Sequence, residues 1–305
     1  MKKPLSKVSE NTWAFLKDPM IKPAGFREYD ARWKYPEEIN LPGVTALGRG
    51  LGTQMRIRGI EPIIAVGNDY REYSLSIKNA LILGLMQAGI HIKDIGPALS
   101  PMVYFAQFYL DVPAIAMVTA SHNPNGWTGV KMGFERPLTH GPEEMAELKE
   151  IVLCGKTTLA KNGTYKFVDG VRQAYIDDLV GDFKMKRRFK VVCATGNGTA
   201  GAFAPEILKK IGVEIIPRHN SLDYNFPNYN PNPESMEMLG DMAFTVKKSG
   251  ADLALGFDGD GDRCGVVDNE GEEIFADKVG VILARELSKN YPNSTFVVDI
   301  KSTGL

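Results

Sequence analysis

The sequence predicts an α/β fold built from repeated domains, because one strand–turn–helix–strand plan occurs twice. In the first occurrence, the apolar run Ile63–Val66 is followed by a Gly-Asn turn and a helical pattern near Ser74–Gln87. In the second, the run Phe189–Ala194 is followed by another Gly-Asn turn and a helical pattern near Gly201–Lys210. Units of this kind form α/β layers, and their recurrence predicts two similar domains rather than one long sheet.

Each unit continues from its helix into a second β-rich run through a small or apolar residue and a glycine. The first unit passes through Ala88-Gly89-Ile90, and the second passes through Ile211-Gly212-Val213. The polar stretch Lys156–Gly163 separates the two units, and the charged pattern over Val168–Lys186 predicts a helix that enters the second domain.

These patterns divide the chain into three parts. We predict a first domain over residues 1–165, a second over residues 166–272 and the start of a third over residues 273–305. The apolar run Thr295–Ile300 resembles the opening strand of another unit, and the sequence stops before a helix can follow it. The third domain is therefore expected to be truncated.

Charge and hydropathy argue against several classes of partner. The 305 residues carry a net charge of −1, which lacks the positive balance of a nucleic-acid-binding protein. No apolar run is long enough to cross a bilayer, and no apolar signal core follows the N-terminus. Cys154, Cys193 and Cys264 are odd in number and far apart, as expected for free thiols in a reducing compartment. We therefore expect a cytoplasmic enzyme that binds neither nucleic acid nor membrane.

Three aspartates alternate with glycines between two apolar runs. Asp258, Asp260 and Asp262 lie in the string Gly-Phe-Asp-Gly-Asp-Gly-Asp-Arg-Cys. Carboxylates this close repel one another and raise each other's pKa unless a cation neutralises them, and the glycines let the backbone bend so that the side chains converge. The pattern predicts a metal site, and its alternative is a polar turn with solvated aspartates.

The oxygen ligands favour Mg²⁺ or Ca²⁺. A calcium loop of the EF-hand type needs Gly at its sixth position and Glu at its twelfth. Counted from Asp258, those positions hold Arg263 and Asn269. The calcium-loop interpretation therefore fails, and Mg²⁺ that holds a phosphate is the better prediction.

A second informative string is Thr119-Ala120-Ser121-His122-Asn123-Pro124, which follows the apolar run Ala114–Val118. Asn-Pro predicts a turn directly after Ser121 and His122, at the end of a strand where α/β proteins bind ligands. Lys131 follows ten residues after the serine. The three side chains can supply a phosphate acceptor, a proton shuttle and a clamping charge. A hydroxyl that only caps the turn is the alternative for Ser121.

Together with the N-terminal string Phe26-Arg27-Glu28-Tyr29-Asp30-Ala31-Arg32, these motifs resemble the α-D-phosphohexomutases. Within that superfamily, the chain is most similar to the bacterial phosphomannomutase/phosphoglucomutase group, and the Asn/Pro-rich segment 225–233 resembles a loop of its second domain. The resemblance extends from about Ala24 onward. It implies repeated α/β domains with mixed sheets.

The resemblance also implies a chemistry. Ser121 would carry a phosphoryl group, and Asp258, Asp260 and Asp262 would hold one Mg²⁺ that bridges to it. Arg263 would support the phosphoserine, His122 and Lys131 would assist proton transfer, and Tyr29 and Arg32 would line the cleft for a phosphorylated hexose. Phosphate would move reversibly between C1 and C6 of mannose or glucose phosphate through a hexose 1,6-bisphosphate, which would also act as activator.

The chain departs from the family pattern at Asn68 and Thr128, where the changes are mild, and more clearly at Trp33 and in its later domains. Trp33 stands where the family has glycine, so we expect a bulky ring beside the cleft. The sugar-reading and phosphate-binding loops that the family carries in its third and fourth domains are absent from the 305 residues. We therefore expect this portion alone to be inactive, and its sugar preference is not specified.

Two other functions are compatible with parts of the sequence. Gly196-Asn197-Gly198-Thr199-Ala200-Gly201 matches the pattern of a dinucleotide-binding oxidoreductase, with Asp223 as a ribose ligand, but this leaves both other motifs unexplained. The changed residue beside Arg32 is compatible with a relative that binds a phosphosugar or a partner without turnover.

Overall fold

The computed structural model describes residues 2–183, 185–300 and 302, and the first half of this part folds around a six-stranded mixed sheet. Its strands are β1 (Ala31–Lys34), β2 (Ile63–Asn68), β3 (His91–Pro97), β4 (Ala114–Val118), β5 (Trp127–Gly133) and β6 (Tyr165–Phe167). They lie in the order β1-β5-β4-β2-β3-β6. β2 is parallel to both β3 and β4, whereas β5 is antiparallel to β4 and β1.

Helices cover both faces of this sheet. They are α2 (Leu41–Ile57), α3 (Ser74–Gln87), α4 (Ser100–Tyr109), α5 (Pro142–Leu153) and α6 (Val171–Val180), whereas the preceding helix α1 (Trp13–Lys17) has no buried residue. The central strand β2 is a nearly continuous apolar run because both of its faces are covered. α2 and α3 cross closely, since a Cβ at Gly48 would lie 2.2 Å from the carbonyl oxygen of Leu81.

A second mixed sheet of five strands follows in the described part of the chain. Its elements are β7 (Lys190–Ala194), α7 (Ala204–Lys210), β8 (Glu214–Arg218), α8 (Met236–Ser249), β9 (Leu253–Phe257), β10 (Cys264–Asp268) and β11 (Glu273–Ile274). The strands lie in the order β11-β10-β9-β7-β8, and β7 is parallel to β8 and β9. The predicted α/β class with repeated domains and mixed sheets is confirmed.

The two sheets are joined through apolar packing. One face of the first sheet packs with Met102 and Val103 of α4 and Ile176 of α6, and the same cluster contains Ala200 and Phe203 from the segment after β7. The second half therefore contributes directly to the core of the first, and the loops at the adjoining strand ends can meet. None of the described helices is both long and apolar enough to span a bilayer.

Three sequence-based expectations differ from the structure. The helix predicted over Val168–Lys186 is shorter, because glycines with positive φ flank it at 170 (+84°) and 181 (+44°); Lys184 lies outside the described residues. The boundary drawn at residue 165 falls inside β6, which pairs in parallel with β3 of the first sheet.

The third difference concerns the strand predicted over Thr295–Ile300. No strand forms there, and Val297 and Ile300 are 92% and 97% exposed, because no neighbouring strand in the described part of the chain pairs with this segment. It follows α9 (Ala276–Asn290), which has no buried residue. Residues 301 and 303–305 of the predicted third domain lie outside the described residues.

Candidate active site

Ser121 lies in the loop after β4, where the fully buried strand delivers it to the carboxyl edge of the parallel strands. Its φ is +53°, a left-handed conformation that is uncommon for a residue other than glycine. The amide of Ser121 donates to Thr119 Oγ1 at 2.8 Å, and its carbonyl accepts from Arg71 at 2.8 Å. Neighbouring side chains thus hold a conformation that the serine alone disfavours.

The three aspartates lie in the hairpin between β9 and β10. Asp258 and Asp260 are fully buried, whereas the side chain of Asp262 is 27% exposed. One carboxylate oxygen from each residue lies within 4.8 Å of those of the other two. Asp258 Oδ1 also accepts from the amides of Asp262 and Arg263, both at 3.1 Å. The alternation of Asp and Gly therefore converges the carboxylates as predicted.

The loop after β4 (residues 119–125, the serine loop) contacts the loop between β9 and β10 (residues 258–263, the aspartate loop). Ser121 Oγ donates to Asp258 Oδ2 at 3.1 Å. A Cβ at Gly259 would lie 2.5 Å from the carbonyl oxygen of Ser121, so only glycine permits this approach. Two motifs that lie 137 positions apart in sequence thereby form one site.

Lys131 on β5 connects the same two loops. Its Nζ donates to Asp260 Oδ2 at 2.7 Å and also to Asp262. Ser100, at the start of α4, donates from Oγ to Asp260 Oδ2 at 2.6 Å. One oxygen of Asp260 is therefore fully engaged with residues of the first domain.

The second oxygen of Asp260 fits a cation. Asp260 Oδ1 is buried and has no hydrogen-bond partner among the described residues, which is unusual for a buried carboxylate. Asp260 also contributes one carboxylate oxygen to the cluster of three hard oxygen donors, the ligand type that Mg²⁺ and Ca²⁺ prefer. The donor set therefore fits a divalent cation.

The protonation of the cluster reflects burial and charge. Burial, together with the charges of Asp260 and Asp262, raises the pKa of Asp258 to about 8. Burial also opposes ionisation of Asp260, but the charge and hydrogen bond of Lys131 outweigh it and lower the pKa of that carboxyl. Burial of Lys131 is likewise outweighed by the two aspartates, which raise its pKa, so the ammonium is retained.

His122, Arg263 and Arg32 surround the two loops. His122 Nδ1 lies 3.5 Å from Ser121 Oγ, and burial and the charge of Arg263 lower the pKa of His122. Arg263 itself donates to Glu234 at 2.9 Å. The buried Arg32 donates to the carbonyl of Thr119 at 2.6 Å, two residues before Ser121. Cations therefore face the serine loop from both halves.

Two family models match the chain. Residues 23–158 match the description "Phosphoglucomutase/phosphomannomutase, alpha/beta/alpha domain I", and residues 173–271 match domain II of the same family. The chain belongs to the phosphoglucomutase/phosphomannomutase family. It is thus a member of the α-D-phosphohexomutase superfamily, in its bacterial group, as the sequence predicted.

Curated and solved members of the family are similar over most of this chain. A phosphomannomutase/phosphoglucomutase of Pseudomonas putida is 34% identical over 91% of this chain and 59% of its own length. A phosphomannomutase of Escherichia coli is 35% identical over 90% and 62%, respectively. The crystal structure of a family protein from Burkholderia thailandensis matches with a TM-score of 0.85 and 31% identity over 90% of this chain and 60% of that one. The chain thus spans about 60% of the length of these relatives.

Two expectations for the N-terminal region, at Tyr29 and Trp33, have different outcomes. Tyr29 is 61% exposed and lines a pocket of about 640 Å³ with Arg58, Phe134 and His140, and none of the other predicted site residues lines this pocket. Its role in a cleft stays a prediction. The expectation of a bulky ring beside the cleft is wrong for Trp33, which is buried in the core against Phe26. Adjacent residues of a strand point to opposite faces, so Trp33 is directed away from Arg32.

Sequence reasoning missed several residues that support the site. Asp69 and Arg71 follow β2, and Ser100 opens α4; all three are buried and bonded to one of the two loops. Each is a single polar residue at the end of an element, a pattern too common to indicate a role. The only available signal is that β2 ends beside β4, because neighbouring parallel strands share a carboxyl edge.

The glycine-rich segment after β7 has a structural use in this family member. Thr199 accepts through Oγ1 from the amide of Tyr70 at 2.8 Å and donates its own amide to the carbonyl of Gly259 at 3.2 Å. Asp223, the ribose ligand of the dinucleotide hypothesis, accepts from the amide of Asn225 within its own loop. The segment connects the two domains beside the aspartate loop.

Proposed function

We propose that this chain carries the catalytic serine and the metal site of a phosphohexomutase, which transfers phosphate reversibly between C1 and C6 of a phosphorylated hexose. The observation that supports this most strongly is the hydrogen bond from Ser121 Oγ to Asp258, because it unites the two motifs most typical of the family. Relatives named phosphomannomutase or phosphoglucomutase support the same activity. Mannose and glucose phosphates are the proposed substrates.

Ser121 is the proposed phosphoryl carrier. In the donating step, a hydroxyl oxygen of the sugar attacks the phosphorus of phosphoserine, and the bond from phosphorus to Oγ breaks. Because the lowered pKa keeps His122 neutral at pH 7, its imidazole can accept the proton of the attacking hydroxyl. Lys131 stays protonated through its raised pKa, and its positive charge is proposed to assist proton transfer to the departing Oγ. The reverse step returns the other phosphate of a hexose 1,6-bisphosphate to Ser121.

Charge neutralisation is the second requirement of phosphoryl transfer. Asp258, Asp260 and Asp262 are the proposed ligands of one Mg²⁺, which would neutralise phosphate charge when bound. Arg263 and Arg32 are proposed to stabilise the phosphate and the sugar, respectively. Hexose 1,6-bisphosphate is the proposed activator, since it would load Ser121 with phosphate. Tyr29 is proposed to contact the sugar from the exposed side.

Phosphate uptake by Ser121 tests the proposal directly. The purified chain is incubated with Mg²⁺ and glucose 1,6-bisphosphate, and intact-mass and peptide mass spectrometry locate the phosphate. We expect one phosphate on Ser121 and none in Ser121→Ala. Phosphate that is absent, or that lies on another residue, contradicts the proposed function. A chain that retains sugar phosphate in equilibrium dialysis but never becomes phosphorylated would instead be a binding relative without turnover.

A further inference from the structure

The backbone of the serine loop is bound by one guanidinium group. Arg71 donates from NH2 to the carbonyls of Ser121 and Asn123, both at 2.8 Å. It also donates from NH1 to the carbonyl of Pro124 and to Asn125 Oδ1, both at 3.3 Å. Four acceptors spread over five consecutive residues thus converge on one side chain.

Asp69 fixes both the arginine and the start of the same loop. Its Oδ2 accepts from Arg71 Nε at 3.1 Å, from Thr119 Oγ1 at 2.9 Å and from the amide of Ala120 at 3.3 Å. Thr119 Oγ1 in turn accepts from the amide of Ser121 at 2.8 Å. The loop is therefore held on both sides of the serine by a single buried ion pair.

The ion pair is desolvated and is covered by the second domain. The side chains of Asp69 and Arg71 are each 1% exposed. Phe226 comes from the Asn/Pro-rich segment of the second domain, and the centroid of its ring lies 5.2 Å from the guanidinium carbon of Arg71. A buried charge is costly unless its hydrogen-bonding groups are satisfied. The environment of Arg71 therefore favours the loop geometry in which the guanidinium group makes all of these bonds.

We propose that Arg71 is a positioning residue that keeps Ser121 in its left-handed conformation and thereby directs Oγ towards Asp258. This inference rests on the proposed function, because it assigns Ser121 as the phosphoryl carrier. Arginine suits the task because its planar fork offers five donors in fixed directions, whereas lysine offers a point charge. Without the fork, the loop can leave the conformation that the serine disfavours.

The test compares Arg71→Gln and Arg71→Lys with Arg56→Gln in the 305-residue chain. Arg56 is a matched control, because it also donates to backbone carbonyls of the first domain, at Ala88 and Gly89, away from Ser121. Two quantities are measured. One is the rate of phosphate transfer from glucose 1,6-bisphosphate to Ser121, and the other is the hydrogen exchange of amides in peptides that cover residues 119–125.

We expect both Arg71 variants to accept phosphate about 100-fold more slowly, because a small misplacement of a reacting group costs a factor of this order. Exchange in peptides 119–125 should rise in these variants, whereas Arg56→Gln should match the wild type in both measurements. Arg71→Lys keeps the positive charge. Slow phosphate transfer in this variant would therefore result from loss of the planar fork and not from loss of a buried cation.

Wild-type rates in both Arg71 variants, or unchanged exchange in these peptides, would overturn the positioning role. If the wild-type chain itself accepts no phosphate, the proposed function fails. The exchange measurement then decides the positioning role alone, since it needs no phosphoryl transfer.

Discussion

The two carboxylate oxygens of Asp260 lie in different environments. Its Oδ2 is bound by Lys131 and Ser100, whereas its Oδ1 is buried without a hydrogen-bond partner among the described residues. A buried oxygen in this situation retains a desolvation penalty that a cation can relieve. The residue therefore links the stability of the loop to metal binding.

Asp260→Asn should weaken binding of Mg²⁺ while the fold stays intact. The substitution removes one of three carboxylate charges, and even changes in residues that only support metal ligands typically lower affinity about 10- to 100-fold. Isothermal titration calorimetry gives the affinity. Asp268→Asn is the control, because Asp268 ends the same hairpin and its side chain accepts from the backbone amides of Glu270 and Glu272. Equal affinity in the wild type and both variants would contradict the metal site and favour the alternative of a polar turn with solvated aspartates.

His140 makes a separate, pH-dependent contribution to stability. It is 2% exposed, its Nε2 lies 3.0 Å from Gln54 Oε1, and burial lowers its pKa from 6.5 to about 4. Since the unfolded chain binds the proton more readily, this contribution is complete above pH 6.5 and is lost as the pH falls to about 4.

Urea unfolding between pH 4 and 7 measures this effect. A shift of this size corresponds to about 3 kcal/mol of unfolding free energy. His140→Gln, which cannot be protonated in this range, should lose less unfolding free energy than the wild type as the pH falls. The prediction fails if the two proteins show the same pH dependence.

Among the secondary-structure elements, β1 shows how closely the core is fitted around the N-terminal motif. Trp33 donates from Nε1 to the carbonyl of Lys22 at 2.8 Å and packs edge to face against Phe26. A Cβ at Gly25 would lie 2.0 Å from that indole nitrogen. The large ring is therefore compatible with the fold only because a glycine stands opposite it.

Gly25→Ala should destabilise the chain by about 1–3 kcal/mol, because the methyl group overpacks a filled core. Gly240→Ala is the matched control, since Gly240 lies inside α8 and an added Cβ meets no atom within 4 Å. There the same substitution should stabilise by about 0.5–1 kcal/mol through helix propensity. Chemical denaturation of both variants distinguishes the two signs. Equal effects would show that the contact with Trp33 is unimportant.

The sequence predicted the elements whose patterns are local. The alternation of Asp and Gly and the strand-to-turn string around Ser121 indicated both loops, because each places several chemical groups within a few residues. Trp33 was misplaced because neighbouring strand positions face opposite sides, and the sequence does not say which side is the cleft. Arg71 was missed because its bonds to the serine loop go mainly to backbone carbonyls at least 50 residues away, which leave no pattern in the sequence.

At the scale of the whole molecule, the site depends on contact between two domains. Ser121, Lys131 and Ser100 come from the first, and the three aspartates come from the second. Further bonds brace the junction, such as the one from Asn230 Nδ2 to the carbonyl of His122 at 2.6 Å. The long sequence separation of these contacts explains why the site could be inferred only by combining motifs.

The 305-residue chain should accept phosphate on Ser121 but show little mutase turnover. A bisphosphate intermediate must be held in two orientations, and oriented reactants gain about 7–11 kcal/mol over untethered ones. The relatives named as mutases are longer, and this chain spans 59–62% of their length. A coupled assay for glucose 6-phosphate from glucose 1-phosphate, with a full-length relative as control, measures turnover. Rates near those of the relative would show that these residues suffice.

The apolar cluster shared by the two domains also sets an order of events during synthesis. Met102 and Val103 are translated about a hundred residues before Phe203, which belongs to the same buried cluster in the folded protein. At about 5–20 residues per second, the ribosome needs on the order of ten seconds to supply that residue. During this interval the nascent first domain exposes an apolar face that chaperones can bind. Slow codons between these positions would lengthen that exposure, and aggregation of ribosome-bound chains would rise with it.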